Sequence, residues 1–579
     1  MLGLLRYAKE YKKELILGPF FKFLEAVFEL LLPLGMAMLI DNGIAKHDFN
    51  YVLKISTLMI LMSVVGLFCV LLCQYYSSVA SQGFGTDLRT ALLKKINTLS
   101  HQDLNDFGTS TLVTRMTNDI NQLQLALAML IRLVIRAPFL SLGSLIMAFY
   151  INAKIALIFI LALAIFCSVL YVMAKQTVPL YKKVQKQIDK MNQVISENLS
   201  GIRVIRAFGQ KKYSEDGMEQ TNKQLAKAYR RVANVSAILN PATILIMNGA
   251  IILILFLGGN YINTGSLTQG ELLALINYLT QMLLALIVIS NLVVIFSKAS
   301  AAATRVNEVL ETTPSIQEPT DAVTELATQN NVSLSFKNVS FKYQVNSGLA
   351  LENISFDLKR GQTLGIVGTT GSGKSSIIQL APRFYDPTSG SIELFGVPLQ
   401  KISLTTLRNT FGIVPQQSVL FTGSVRENLQ WGKKDATDKE CWDALMIAQS
   451  ADFVEKLPKK LDTMIVEGGK NFSGGQRQRL TIARALINQP EIIILDDSLS
   501  ALDFQTDANL RKSLAANLTN SSQIIISQRI SSIQDADQIL VIENGTQVGL
   551  GTHEDLMLSC VTYQELVESQ QSSRKAGDH

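Results

Sequence analysis

Cysteine is scarce and scattered: Cys69, Cys73, Cys167, Cys441 and Cys560 are the five in 579 residues. That number and placement provide no disulfide framework. Cys69 and Cys73 share a helix face, but no histidine or carboxylate accompanies them, so packing is favoured over a metal site. Charge is also missing over long stretches. The runs Ile55 to Val79, Ala137 to Asn152, Ile155 to Ala174, Val232 to Asn260 and Leu272 to Ser297 hold no Asp, Glu, Lys or Arg. Their lack of charge excludes a purely water-facing first half and predicts five membrane spans. A basic patch free of acids is absent too. The net charge is only +6, and the basic residues around 175–231 are interleaved with Asp189, Glu197, Glu215, Asp216 and Glu219. A nucleic-acid partner is therefore not expected.

What is present divides the chain in two. A hydrophobic content of 48% and a mean hydropathy of +0.24 exceed those of a soluble protein. The excess lies before about residue 300, and the remainder has the composition of a soluble α/β domain. A further span, Leu15 to Ile40, is interrupted by Lys22, Glu25 and Glu29. Its inner end is expected to project beyond the hydrocarbon or to face protein and water. Counting it as the first gives six spans and returns the chain to its starting side. The connection from Ala174 to Val232 carries thirteen Lys and Arg, whereas the proposed outer loops offer Lys46, Lys54 and Lys154. By the positive-inside rule the connection is cytosolic. The opening MLGLLRYAKEYKKEL is expected to lie along the inner membrane surface as an amphipathic helix, with no cleavable signal.

Within the spans, Asn277, Gln281, Asn291, Asn240 and Asn248 either line a cavity or hydrogen-bond between helices. Glu25 and Glu29 could attract a cationic substrate, or simply mark a wet inner end. Arg132 and Arg136 are read as the inner border of the third span. Between spans two and three, and again between four and five, helical periodicity continues without strong breakers, which predicts helical extensions. Residues from about Thr304 to Asn331 turn polar, as in ETTPSIQEPTD, and read as a linker.

The second half carries the chemistry. Gly368-Thr369-Thr370-Gly371-Ser372-Gly373-Lys374-Ser375 follows the apolar strand Thr363 to Val367 and precedes a helical run beginning at Ser376. Strand, glycine-rich loop and helix in that order form a Walker A phosphate loop. Backbone N–H groups curl around phosphates, Lys374 supplies a point charge, and the Ser375 hydroxyl is placed to ligate Mg²⁺. A nucleoside triphosphate is the predicted ligand. Ile492-Ile493-Ile494-Leu495-Asp496 is a buried strand ending in a carboxylate, a Walker B arrangement in which Asp496 orients Mg²⁺ through water. Asn471-Phe472-Ser473-Gly474-Gly475-Gln476-Arg477-Gln478-Arg479 sets a second anion cradle at a helix start.

This set resembles the ATPase domain of ABC transporters, and the whole chain resembles one half of a bacterial heterodimeric ABC exporter. The Ser473 to Gln476 stretch matches the family signature, with Phe472 in the usual leucine position. The resemblance implies a multi-domain membrane protein in which a six-helix all-α transmembrane domain with long cytosolic extensions is fused to an α/β P-loop ATPase domain. The expected boundaries are 1–312, a linker 313–331, and 332–579. It further implies that Tyr343 stacks on adenine, that Gln416 is the Q-loop residue near Mg²⁺ and water, and that Ser500-Ala501-Leu502-Asp503 is the D-loop. Short coupling helices are expected near 106–119 and 201–208.

Two positions depart from the family pattern. Asp497 stands where the family has a Glu that polarises water, and is shorter by one methylene, roughly 1.5 Å of reach. Gln528 stands where the family has its switch histidine, and lacks the imidazolium charge. Misplacement on that scale can cost about a hundredfold in rate. The resemblance thus implies a degenerate site made by Tyr343, Lys374, Ser375, Gln416, Asp496, Asp497 and Gln528. Ser473, Gly474, Gly475 and Gln476 would complete the consensus site of a non-identical partner half. ATP and Mg²⁺ are the implied ligands, and the lipid bilayer and lipophilic or amphipathic small molecules the other partners. The location implied is the bacterial plasma membrane, multi-pass, with the N-terminus and ATPase domain cytosolic. Multidrug export is the favoured activity, with a lipid or lipopeptide flippase, or an ATP-sensing regulatory or channel subunit, as alternatives. An importer is disfavoured because its membrane and ATPase parts are usually separate chains. A peptidase-coupled exporter is disfavoured because no domain is seen before the amphipathic start.

Overall fold

The computed structural model of the chain describes residues 2–326, 331–344, 347–500 and 502–577, so Ala501 of the D-loop and residues 327–330 of the linker lie outside the described residues. Two compact units result, one of Met1–Ile96 with Ser110–Thr312 and one of Asn97–Thr109 with Thr313–His579.

In the first unit, six helices are long and apolar enough to cross a bilayer: Gly3–Ile44, Phe49–Ile96, Thr109–Ile151, Ala153–Ser200, Lys211–Asn263 and Gln269–Glu311. Each apolar run read from the sequence falls within one of them, save that Asn152 at the end of the third run lies just past its helix and caps the next. The helices outlast the runs. Ala153–Ser200 has 48 residues, about 72 Å at 1.5 Å per residue, against a hydrocarbon layer of about 30 Å. Asn152 starts this helix by accepting hydrogen bonds from the Lys154 and Ile155 N–H groups at 3.1 and 3.2 Å. The sixth helix starts at a Thr268 and Glu271 capping box. Asp41 of the first helix takes the Gly270 N–H at 2.8 Å and the Thr268 hydroxyl at 2.6 Å. A side chain at Gly270 would meet the Ala37 carbonyl at 2.4 Å, so the approach of these two helices needs glycine. Deeper in, Tyr278 is fully buried among Ala26, Leu30, Leu140, Phe159 and Met282 and donates its hydroxyl to the Leu30 carbonyl at 2.7 Å.

The charges of the first span have partners. Arg136 of the third helix reaches both Glu29 oxygens at 2.9 and 3.0 Å, and its Nε lies 3.7 Å from Glu25. Lys22 pairs with Glu25 at 2.5 Å. Two cations and two anions thus cancel, because an unpaired charge at this depth is far costlier than a paired one. Arg136 is an ion-pair partner and not only the border marker expected from its position. Arg132 binds the hydroxyls of Ser77 and Ser78 at 2.8 and 3.0 Å. Gln281 donates to the Glu29 carbonyl at 3.4 Å, while Asn277 bonds back to Leu273 of its own helix at 3.0 Å.

The second unit is built on a ten-stranded sheet. In this sheet Val397–Pro398, Ser389–Leu394, Val332–Phe341 and Leu351–Lys359 pair antiparallel, and Thr546–Gly551 comes next, parallel to Leu351–Lys359 and antiparallel to Gln538–Glu543. Its parallel part follows in the order Gln538–Glu543, Thr363–Gly368, Ser522–Ile526, Ile492–Asp496 and Phe411–Val414. Ile492 to Leu495 are buried, as expected of a parallel strand covered on both faces.

A short helix, His101–Phe107, belongs to this second unit. Ser100 and Asp103 close its N-terminus in a capping box, and Gly108 ends it at φ 76°. The expectation was a short helix near 106–119. From Thr109 onward the chain instead continues into the third long helix, since Gly108 is the local breaker and none follows. In the first unit Ile202–Ala207 forms a short helix between Gly201 and Gly209, with Ile202, Val204 and Phe208 exposed.

Arg136→Met should leave Glu25 and Glu29 short of countercharge and lower stability by about 3 kcal/mol. Thermal unfolding in detergent measures this, and adding Glu29→Gln should recover part of the loss.

Candidate functional site

Parallel pairing sets the site. Ile526 lies opposite Ile366 and Asp496, and Val414 opposite Leu495, so four strands end at one level. The carboxyl end of such a sheet is where α/β proteins bind ligands. The phosphate loop leaves the first of these strands, Gln528 follows the second, Asp496 and Asp497 end the third, and Gln416 follows the fourth.

In the phosphate loop, Gly371 and Gly373 take φ of 83° and 103°, values that favour glycine. A Cβ at Gly368 would meet the Ile542 carbonyl at 2.1 Å. Lys374 opens the helix Lys374–Leu380, and its ammonium donates to the Gly368 and Thr369 carbonyls at 2.9 and 2.7 Å. It therefore lies along the loop that would take the phosphates. Burial pushes the Lys374 pKa down, while Asp497 and Asp496 oppose that shift.

The two carboxyls are held out of water. Burial first, then the neighbouring Asp497, raises Asp496 to about 6, with Lys374 pulling the other way. Burial also raises Asp497, opposed by the Gln528 N–H, the charges of Arg529 and Lys374, and the Gln416 side chain. Asp497, Gln528 and Gln416 are thus brought together. Asp497 sits at φ 45°, uncommon for a residue with a side chain. Its Oδ1 and the Ser372 hydroxyl are buried without hydrogen-bond partners. An orphaned carboxylate oxygen beside Asp496 is what a hydrated cation would satisfy, so the donor set fits Mg²⁺.

Tyr343 is beside this loop. Its hydroxyl and that of Ser376 are 3.0 Å apart, and its ring packs edge-on against Phe341 and Tyr385 at 4.8 and 5.3 Å. The side chain stays 38% exposed, leaving a surface for a base. Ser473 caps the helix Gly474–Leu486, bonding the Gln476 N–H at 3.3 Å while Gln476 accepts from the Ser473 N–H at 2.9 Å. A Cβ at Gly474 would meet no atom within 4 Å, so this helix start is open to a ligand. Among the described residues no hydrogen bond joins 473–476 to 368–376. The Q-loop does reach the signature helix, through Ser418 and Gln478. In the D-loop, Ser500 donates to the Asp497 carbonyl at 2.7 Å and Asp503 caps the helix Phe504–Asn517.

Three participants were not evident from the sequence. Gln570 donates to the Gln528 carbonyl at 2.6 Å and accepts from the Ile530 N–H at 2.9 Å, clamping the switch segment. Tyr385 accepts from Asn105 of the short helix at 2.9 Å while its ring touches Tyr343. The His101 ring packs at a tilt against Phe384, centroids 4.4 Å apart, and burial, with Arg408 nearby, pushes its imidazole below the ordinary value. Tyr385 and Phe384 lie in the stretch RFYDP just after the Walker helix, whose aromatics were the available signal.

Two family profiles match: one described as "ABC transporter transmembrane region" over residues 15–286, the other as "ABC transporter" over 351–500. An uncharacterized ABC transporter ATP-binding protein of Mycobacterium tuberculosis is 34% identical over 587 residues, covering 100% of this chain and 99% of its own. The probable multidrug resistance ABC transporter ATP-binding/permease protein YheI of Bacillus subtilis is 34% identical over 488 residues, with 84% of this chain and 82% of its own covered. The structure of a bacterial Atm1-family ABC exporter with ATP bound superposes with a TM-score of 0.79 at 25% identity, covering 96% of this chain and 98% of that one.

With its pKa raised to about 6 by burial and Asp497, the Asp496 carboxyl takes up a proton as pH falls through that value, which weakens its hold on a cation. The gain in ATP affinity from added Mg²⁺ should therefore shrink as pH falls through about 6 and level off above it. Fluorescent-nucleotide titrations across that range measure this, and Asp496→Asn should remove the trend. Tyr385→Phe deletes only the hydroxyl that Asn105 binds. It should lower transport about fivefold, in line with one lost hydrogen bond, with ATP affinity unchanged.

Proposed function

We propose, for a chain that belongs to the ABC transporter family, that it is one half of a heterodimeric exporter in which ATP is held at a slow site and hydrolysed mainly at the partner's. Its ATP-binding domain is a transport ATPase and its membrane helices have the exporter fold. The observation that carries the heterodimer reading is the pair of departures at level strand ends. The Gln528 backbone N–H lies against the Asp497 carboxyl, and in this reading the two occupy the positions that act on water and γ-phosphate. The signature cradle at Ser473 to Gln476 is formed and open, and among the described residues no hydrogen bond joins it to the loop 368–376 of its own chain.

In this reading Tyr343 stacks on adenine, the loop 368–376 and Lys374 cradle the phosphates, and Ser375, Gln416 and Asp496 would hold Mg²⁺. That ion supplies positive charge to the β- and γ-phosphates. Asp497 and Gln528 are short and uncharged replacements that leave the attacking water poorly oriented. The signature residues serve the nucleotide of a second chain. A second subunit also answers the exposed apolar tip Ile202, Val204 and Phe208, which nothing in its own unit covers. Two ATP close the pair, the short helices relay closure, and access changes sides, driven by the different ATP affinity of the two states. The basic extensions support a cytosolic N-terminus and ATPase domain in the bacterial plasma membrane. Export of lipophilic or amphipathic compounds is the substrate class that fits best. Apolar helices with internally cancelled charge give no sign of selection for one ionic group, and the relative YheI is named a probable multidrug resistance transporter.

The purified chain alone should show little ATPase activity, and co-expression with its partner half should restore it together with dye transport into inverted vesicles. Strong turnover by a homodimer would overturn the proposal. Asp497→Glu with Gln528→His should raise hydrolysis at this site by up to about a hundredfold, read by nucleotide trapping.

A further inference from the structure

The extensions of the fourth and fifth long helices border an open basic groove, lined by exposed cations, that nucleotide chemistry does not use. Lys183 and Lys186 on Ala153–Ser200 face Lys227 and Arg231 on Lys211–Ser236 across about 300 Å³, with Gln187 and Gln224 between them. Elsewhere on the fifth helix, lysines are neutralised within the arm: Lys211 pairs with Glu215 and Lys223 with Glu219. Among the described residues, none of the four groove cations has an acidic partner within 4 Å. Converging like charges around one space is unfavourable unless an anion occupies it. The Gln187 Oε1 atom is buried with no hydrogen-bond partner, so it is an acceptor left for a ligand hydroxyl.

Its depth narrows the ligand. Lys183 follows the end of the apolar run at Ala174 by about 13 Å of helix, and Arg231 abuts the run that starts at Val232. With hydrocarbon of about 30 Å inside a bilayer of about 40–45 Å, the long Lys and Arg stems reach back into the headgroup layer. Tyr181 and Tyr229 are exposed beside the groove, as aromatic residues are at that level. Toward the hydrocarbon, Tyr171, Val172 and Val178 offer an exposed apolar track on the fourth helix. We propose that this groove binds an anionic phospholipid whose headgroup bears free hydroxyls, in the leaflet from which the extensions emerge. The phosphate meets the four cations, a headgroup hydroxyl donates to Gln187, and an acyl chain lies along Val178 and Tyr171. The site is independent of which nucleotide site hydrolyses ATP.

Lipid retention by the full-length chain, counted by native mass spectrometry after titration with phosphatidylglycerol, phosphatidylmethanol or phosphatidylcholine, tests this. Phosphatidylglycerol should be retained at least about tenfold better than phosphatidylcholine. Combined Lys183→Gln, Lys186→Gln, Lys227→Gln and Arg231→Gln should abolish that preference. Lys211→Gln, Lys212→Gln and Lys223→Gln together, which remove nearly as much charge elsewhere on the arm, should not. Gln187→Ala should weaken phosphatidylglycerol and leave phosphatidylmethanol, which lacks the hydroxyls, unchanged. Equal retention by the four-fold variant would refute the site. So would displacement of lipid by inorganic phosphate at matched concentration, which would indicate a soluble anion. Loss of partner-subunit association without loss of lipid would refute it in favour of an acidic protein segment.

Discussion

Parallel pairing in register brings the ends of Thr363–Gly368, Ser522–Ile526, Ile492–Asp496 and Phe411–Val414 to one level, and the ATPase half depends on the charge gathered there. The Lys374 ammonium is held against the carbonyls of its own loop. Asp496 and Asp497 cannot both be charged cheaply, because burial raises both and the Asp497 charge raises Asp496 further. A polyphosphate with its metal ion answers both: it takes the lysine's charge and supplies a cation to the carboxylates. The stretches that carry Gln416 and Gln528 are tied in turn to Gln478 and Gln570, so occupancy of the site has routes outward through hydrogen bonds.

One such route leads to the short helix His101–Phe107. Tyr343 touches Tyr385, Tyr385 takes a hydrogen bond from Asn105, and Phe384 next to it packs against His101. The aromatic side chains that border the nucleotide loop thus also form the seat of a helix drawn from between two membrane spans.

The membrane unit solves a different electrostatic problem. In hydrocarbon no water rescues a bare charge, so Lys22, Glu25, Glu29 and Arg136 neutralise one another across two helices. Farther along the helices, Asp119 is almost fully buried against Arg305, and Arg115 pairs with Glu308. Where the extensions reach the headgroup layer the rule is not followed, and the cations of the groove between the fourth and fifth helices stand without acids.

The uncharged runs and the order of strand, loop and helix around Lys374 were legible because each rests on local spacing: a bilayer needs a length, and a phosphate loop needs glycines at fixed offsets. Asp497 and Gln528 were also legible, since a departure from a motif shows at a single position. The short helix was misplaced because one glycine, Gly108, stops it and nothing in 109–119 stops the next. The neutrality of Glu25 and Glu29 was hidden because Arg136 lies 107 residues from Glu29 along the chain. Gln570, Tyr385 and Asn105 carry no motif, so only contact assigns them. By itself the sequence determined the composition of the parts: six spans, a phosphate loop and two altered residues. Which charges cancel, which stay bare, and which side chains meet at the strand ends were decided only by tertiary structure, because electrostatic and packing energies depend on distance in space and not on separation along the chain.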